Sequence, residues 1–279
     1  MTPQSAILAT LTYSDHFGFP LTFAELHSRL LGISLSPQAL TRTLHSLLEQ
    51  KLIGQIGDYY FLPHRSRLVS RRLRRTRLSL PLYARADKLS RLLSFIPGVL
   101  AIYLTGSLAL GNTNGDSDID FLIVTAPGRL WTTRLFLTLF TSFLGLRRTP
   151  HSRSNSGKLC LNLYLTPTSY LLPPVKQNLY TAYELIQALP LYDPYDTHSS
   201  LLAANSWIKQ YLPNYSLPPL TSLTNHPSPT INLIESLAYH LQLAYMRGKI
   251  TRELITPDSA FFHPRDPGRF ILHKLSLLK

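Results

Sequence analysis

Apolar residues recur along this chain with two periods, and the switches between them mark its elements. Residues 5–17 carry Ile7, Leu8 and Leu11 at helical spacing. Residues 22–31 open with Thr22 three positions before Glu25, the pair that forms a capping box, and predict a second helix. Ser36-Pro37 joins a cap residue to a proline suited to the first turn, and Leu40, Leu44, Leu47 and Leu48 carry a third helix to near Lys51. Residues 52–56 and 59–62 flank Gly57-Asp58 as a β-hairpin would. Helical spacing returns at 81–95 through Leu82, Leu89, Leu92 and Leu93. Residues 99–104 are apolar, short and β-branched, and predict a buried strand. Residues 119–124 predict a second, in which alternation puts Asp118, Asp120 and Leu122 on one face and Ile119, Phe121 and Ile123 on the other. An apolar helix is expected at 129–146, then a third strand at 158–165 with Cys160, Asn162 and Tyr164 sharing a face. Further on, 176–188, 203–212, 231–249 and 263–279 predict helices, and 190–200 a loop.

With 279 residues, 44% hydrophobic and 15% charged, the chain can build about two ordered cores. Its single cysteine, Cys160, rules out an intrachain disulfide and is expected to be buried and inert. The two most apolar helices are interrupted by Arg134 and by Glu235 and His240, short of a membrane span, so no membrane partner and a cytoplasmic location are expected. The net charge of +13 is unevenly placed. Residues 1–64 hold three basic and four acidic side chains, whereas 65–91 hold ten basic ones and a single acid, Asp87. That stretch is a candidate surface for phosphates or nucleic acid.

Two carboxylates at the start of a strand, Asp118 and Asp120, repel each other unless a counter-charge joins them. Hard oxygen donors of this kind suit Mg²⁺ or Mn²⁺. Gly106-Ser107 falls at the preceding strand-to-helix turn, where the absence of a Cβ lets backbone approach a phosphate. The N–H groups of the following residues, about Leu108 to Leu110, favour the same anion.

The run Gly106-Ser107-Leu108-Ala109-Leu110-Gly111, followed by Ser117-Asp118-Ile119-Asp120-Phe121-Leu122, resembles the DNA polymerase beta-like nucleotidyltransferase superfamily, in its minimal and antibiotic-type members. The resemblance covers about residues 80–166. It implies a metal- and NTP-binding core in which Asp118 and Asp120 are catalytic and hold Mg²⁺ or Mn²⁺, Gly106 and Ser107 bind the nucleotide, and ATP is the expected donor. Members of the superfamily often carry a third carboxylate on the third strand. Here that strand has no acid, and Asn162 is the candidate for its place, able to offer a carbonyl but not to act as a base. Asp193, on the expected loop, is a second candidate to replace it, and Arg129 and Arg134 are candidates to add positive charge at the cleft.

The expected fold class is α+β with an α/β-like mixed sheet. Its parts are a winged-helix-like domain (1–63), a basic linker and leading helix (64–95), the nucleotidyltransferase core (96–170) and a helical C-terminal region (171–279). The expected activity is Mg²⁺-dependent transfer of a nucleoside monophosphate from an NTP to an acceptor, whether a protein hydroxyl, a small molecule or an RNA end. The alternatives are a winged-helix DNA-binding regulator with a degenerate, nucleotide-sensing transferase domain, and an antitoxin-like enzyme that modifies a protein.

Overall fold

The computed structural model describes residues 1–148, 156–219, 233–248, 250–251 and 253–262. Helix α1 (Pro3–His16), strand β1 (Leu21–Thr22), α2 (Phe23–Ser28), α3 (Pro37–Glu49) and the hairpin of β2 (Gly54–Ile56) and β3 (Tyr59–Phe61) form an N-terminal unit. The caps read from sequence are in place. Thr22 and Glu25 close a capping box on α2, and the Ser36 side chain accepts from the Ala39 N–H at the head of α3. The hairpin gains a third strand, β1, paired with β3. Ala6, Ile7, Leu11, Leu26, Leu40, Leu44 and Leu47 form the core of this unit. The opposite face of α3, with Gln38, Thr41, Arg42, His45 and Gln50, is exposed.

The expected linker is instead the first half of one long helix, α4 (Arg67–Leu93). Positions 68, 72, 75, 79, 82, 86, 89 and 93 repeat at alternating three- and four-residue steps, which define a single helix face. Arginines at two of these positions disguise the stripe. Arg72 donates to both carboxylate oxygens of Glu25, at 2.7 and 2.8 Å, and lies over the rings of Phe19 and Tyr59. Arg75 donates to Asn112 Oδ1 at 3.0 Å. Arg65, just before the helix, holds Asp15 by two bonds. Part of the basic excess therefore fixes the N-terminal unit to α4 and to the core. Pro81 is exposed, where water can reach the carbonyl left without its helical donor.

Beyond α4 run β4 (Val99–Thr105), the single turn α5 (Gly106–Ala109), β5 (Ile119–Thr125), α6 (Leu130–Phe143), β6 (Leu159–Leu165), α7 (Leu179–Gln187), β7 (Leu189–Tyr192), α8 (Thr197–Ala204), α9 (Ile208–Tyr211), α10 (Leu233–Met246), β8 (Leu254–Ile255) and β9 (Ser259–Phe261). The sheet order is β7-β4-β5-β6-β9-β8, with β5 and β6 parallel and the other pairs antiparallel. The mixed α+β architecture matches the sequence reading, although three of the six strands come from the region expected to be helical. Pro190 made β7 read as loop, and an edge strand tolerates it. The helix expected at 203–212 is split at Asn205. That buried amide accepts from Leu172 N and the Trp207 indole and donates to the carbonyls of Tyr170 and Leu201.

The sheet has two covered faces. Ile119, Phe121 and Ile123 pack with α4, α6 and α10, while Leu122 and Val124 pack with α7, α8 and α9. Glu235 of α10 caps α6 by accepting from the N–H groups of Trp131 and Thr132. The N-terminal unit joins the second face. Tyr13 stacks on Tyr183 at 4.1 Å, the Tyr183 hydroxyl donates to the Arg29 carbonyl, and Gly32 N–H donates to the Tyr211 carbonyl. The segment 263–279 lies outside the described residues.

Candidate functional site

Strand register assembles the site. In the antiparallel pair β4–β5, Thr105 stands opposite Asp120, so Gly106 emerges directly beside that carboxylate. In the parallel pair β5–β6, Asp120 stands opposite Cys160. Gly106 has φ +68°, and a Cβ there would sit 2.7 Å from Asp120 Oδ2. Only glycine supplies both the backbone conformation and the space. Ser107 is exposed on the turn that follows.

Oxygens of Asp118 and Asp120 and the sulfur of Cys160 all lie within 4.8 Å of one another. Burial, reinforced by the Asp118 charge, pushes the Asp120 carboxyl up to about 7. Burial, reinforced by the two aspartates, pushes the Cys160 thiol up to about 12, so it stays protonated and bonds to Asp120. Asn162 Nδ2 donates to Asp120 Oδ1 at 3.0 Å, while Asn162 Oδ1 is buried without a hydrogen-bond partner. Arg148, after α6, donates to Asp118 Oδ2 at 2.5 Å. Two crowded carboxylates, one of them costly to ionise, and an unpartnered amide carbonyl beside them form a hard oxygen donor set that fits a divalent cation. The protonated thiol is too soft a donor to add to it.

The candidates Gly106, Ser107, Asp118, Asp120 and Asn162 thus converge at one end of β4, β5 and β6. The others do not. Arg129 follows the far end of β5, against Gly98. Arg134 is half-buried on the opposite sheet face, bonded to Gln242 and lying over the rings of Trp131, Tyr164 and Phe262. Asp193 accepts from Thr197 N, Thr197 Oγ1 and His198 N, and so caps α8. Tyr164 does not share a face with Asn162. A bulge opposite Phe121–Leu122 adds one residue to β6 and turns Tyr164 to the other side.

Two groups near the site escaped the sequence reading, Arg148 and Glu184. Glu184, on α7, lines a cleft of about 180 Å³ with Gly106, Ser107, Asn112, Tyr13, Tyr180 and Arg29. Burial pushes its carboxyl up to about 7, against a hydrogen bond from Tyr180. The only signal for it in the sequence is that it is the one charged residue of α7.

Residues 86–150 match the family model described as a nucleotidyltransferase domain. The matched segment spans the end of α4, β4, the Gly106-Ser107 turn, β5 and α6, and it supports a nucleotidyltransferase core there. No curated protein and no solved structure matches the chain. No helix among the described residues is long and apolar enough to cross a membrane.

Proposed function

We propose that this nucleotidyltransferase domain moves a nucleoside monophosphate from an NTP, with ATP the expected donor, to an acceptor hydroxyl. The reading is supported above all by the register that sets Gly106 against Asp120, with Asp118 beside it. Asp118 and Asp120 would hold Mg²⁺ or Mn²⁺, with the Asn162 carbonyl as a further oxygen. When bound, the cation would supply charge neutralisation of the triphosphate and alignment of the attacking and leaving oxygens. The chain does the rest. Gly106 leaves room for phosphate oxygens to approach the backbone, and the exposed Ser107 hydroxyl donates to them. Asn162 fixes the orientation of Asp120 through its amide. Arg148 keeps a cationic group at Asp118, on the approach to the triphosphate.

The test follows the label. Incubation with Mg²⁺ and α-labelled NTP should give a labelled adduct and free pyrophosphate, and Asp118→Ala/Asp120→Ala should give neither. In a parallel incubation with γ-labelled NTP, label passing to the adduct from the γ but not the α position would contradict nucleotidyl transfer.

A second reading rests on the N-terminal unit. Its order of helix, strand, two helices and hairpin supports a winged-helix reading, and the outer face of α3 is exposed. A DNA-binding regulator that senses nucleotide through the same site would retain NTP binding without any adduct.

A further inference from the structure

Helices α6 and α10 pack against each other on the sheet face turned away from Asp120. Their inner sides bury Leu130, Leu137 and Ala238. The outer side of this layer is apolar as well. On α6 it presents Phe136, Leu139 and Phe143, three and four residues apart, and on α10 Leu233, Leu237 and Leu241, four apart. Such spacing aligns side chains into one stripe on each helix. All six residues are between 54% and 90% exposed. A surface helix keeps a polar outer face, whereas a helix that is apolar all round belongs under a cover.

The charged side chains of the two helices leave this face untouched. Arg134 of α6 turns to Gln242, and Glu235 of α10 turns to the N–H groups of Trp131 and Thr132. Neither helix holds any other Lys, Arg, Asp or Glu. The outer face therefore carries no charge with which to select an acidic or a basic partner.

Its extent narrows the choice further. The six side chains expose on the order of 700 Å², more than the ~300–600 Å² of the largest patch on a typical monomer. That is close to the ~800 Å² per partner that a stable interface buries. Interfaces between copies of one chain are also the most apolar class. A second copy brings the same uncharged stripes, and a two-fold axis sets the patch against itself.

We propose that this chain forms a two-fold dimer through the outer faces of α6 and α10, the two helix pairs stacking as a four-helix layer. The contact lies behind the sheet from Asp118 and Asp120, so the candidate site of each copy stays open. Its test is independent of nucleotidyl transfer.

Sedimentation velocity of the full chain at micromolar concentration should show twice the mass of one chain. Leu237→Glu/Leu241→Glu would bury unpaired carboxylates and should raise the dimer Kd by about 100-fold or more, with helical circular dichroism unchanged. Phe143→Lys, at the most exposed of the six positions and so with the least part in the fold, should raise it by about tenfold. A dimer with the same Kd in both variants would overturn the proposal by placing the contact elsewhere. A monomeric wild type would overturn it too. Loss of thermal stability in Phe143→Lys would then put the face under another segment of this chain, and binding to phosphatidylcholine vesicles would put it against a bilayer.

Discussion

Asn162 donates its amide hydrogen to Asp120 at 3.0 Å, and its own carbonyl is left buried with no partner. The bond stands in for a counter-charge on one of two crowded carboxylates. Asn162→Asp replaces a donor with a third negative charge, so the metal-free protein should lose about 1–3 kcal/mol of stability. Its gain in melting temperature on adding Mn²⁺ should exceed that of wild type. Thermal melts with EDTA and with Mn²⁺ check both, and an equal metal response would show that Asn162 lies outside the donor set.

The Asp120 carboxyl, raised by burial to about 7, makes metal-free stability depend on pH. A carboxyl whose folded pKa lies above its unfolded value binds its proton more tightly in the folded state. The folded state is therefore penalised as pH climbs from about 4 to about 7, and the penalty is constant above that. Asp120→Asn removes it. In EDTA, the variant should gain on wild type across this window by a few kcal/mol at most and hold a constant lead at higher pH. Urea unfolding at several pH values measures the difference, and parallel curves would contradict the shift.

Arg72 and Glu25 form the main polar link between α4 and the N-terminal unit, with side chains only 11% and 21% exposed. Arg72→Ala would leave Glu25 enclosed without its cation and strip a guanidinium from two rings, at a cost of about 3 kcal/mol. Arg72→Lys should recover little, because an ammonium cannot bond both carboxylate oxygens in the same plane. Chemical denaturation of the two variants decides it.

What the sequence disclosed and what it hid divide along the range of the interactions. The aspartates were legible because alternation within β5 is local, and so were the caps at Thr22 and Ser36, whose partners lie three residues away. Helix α4 was only half legible. Its buried stripe passes through Arg72 and Arg75, whose partners Glu25 and Asn112 are 47 and 37 residues distant. Tyr164 was misplaced because one extra residue at a bulge reverses every later side chain in the strand. Glu184 and Arg148 reach the site only through the packing of α7 and the path of the chain after α6, which no local period encodes.

Gly106→Ala tests the close approach at the turn. The new Cβ meets Asp120 Oδ2 and occupies a left-handed backbone position, which together should cost about 1–2 kcal/mol of stability. The effect on ligand should be larger, with MgATP affinity falling by tenfold or more while the fold persists. Circular dichroism and equilibrium binding separate the two. Full affinity in a folded variant would exclude the turn from the nucleotide site.

Calorimetric titration of ATP, GTP, CTP and UTP, with and without Mg²⁺, into wild type and Asp118→Ala/Asp120→Ala tests the nucleotide site most directly. At least one nucleotide should bind wild type only when Mg²⁺ is present, and that binding should vanish in the double variant. Binding that ignores the metal or survives loss of both aspartates, or no binding of any nucleotide, would contradict a metal–nucleotide site at the end of β5.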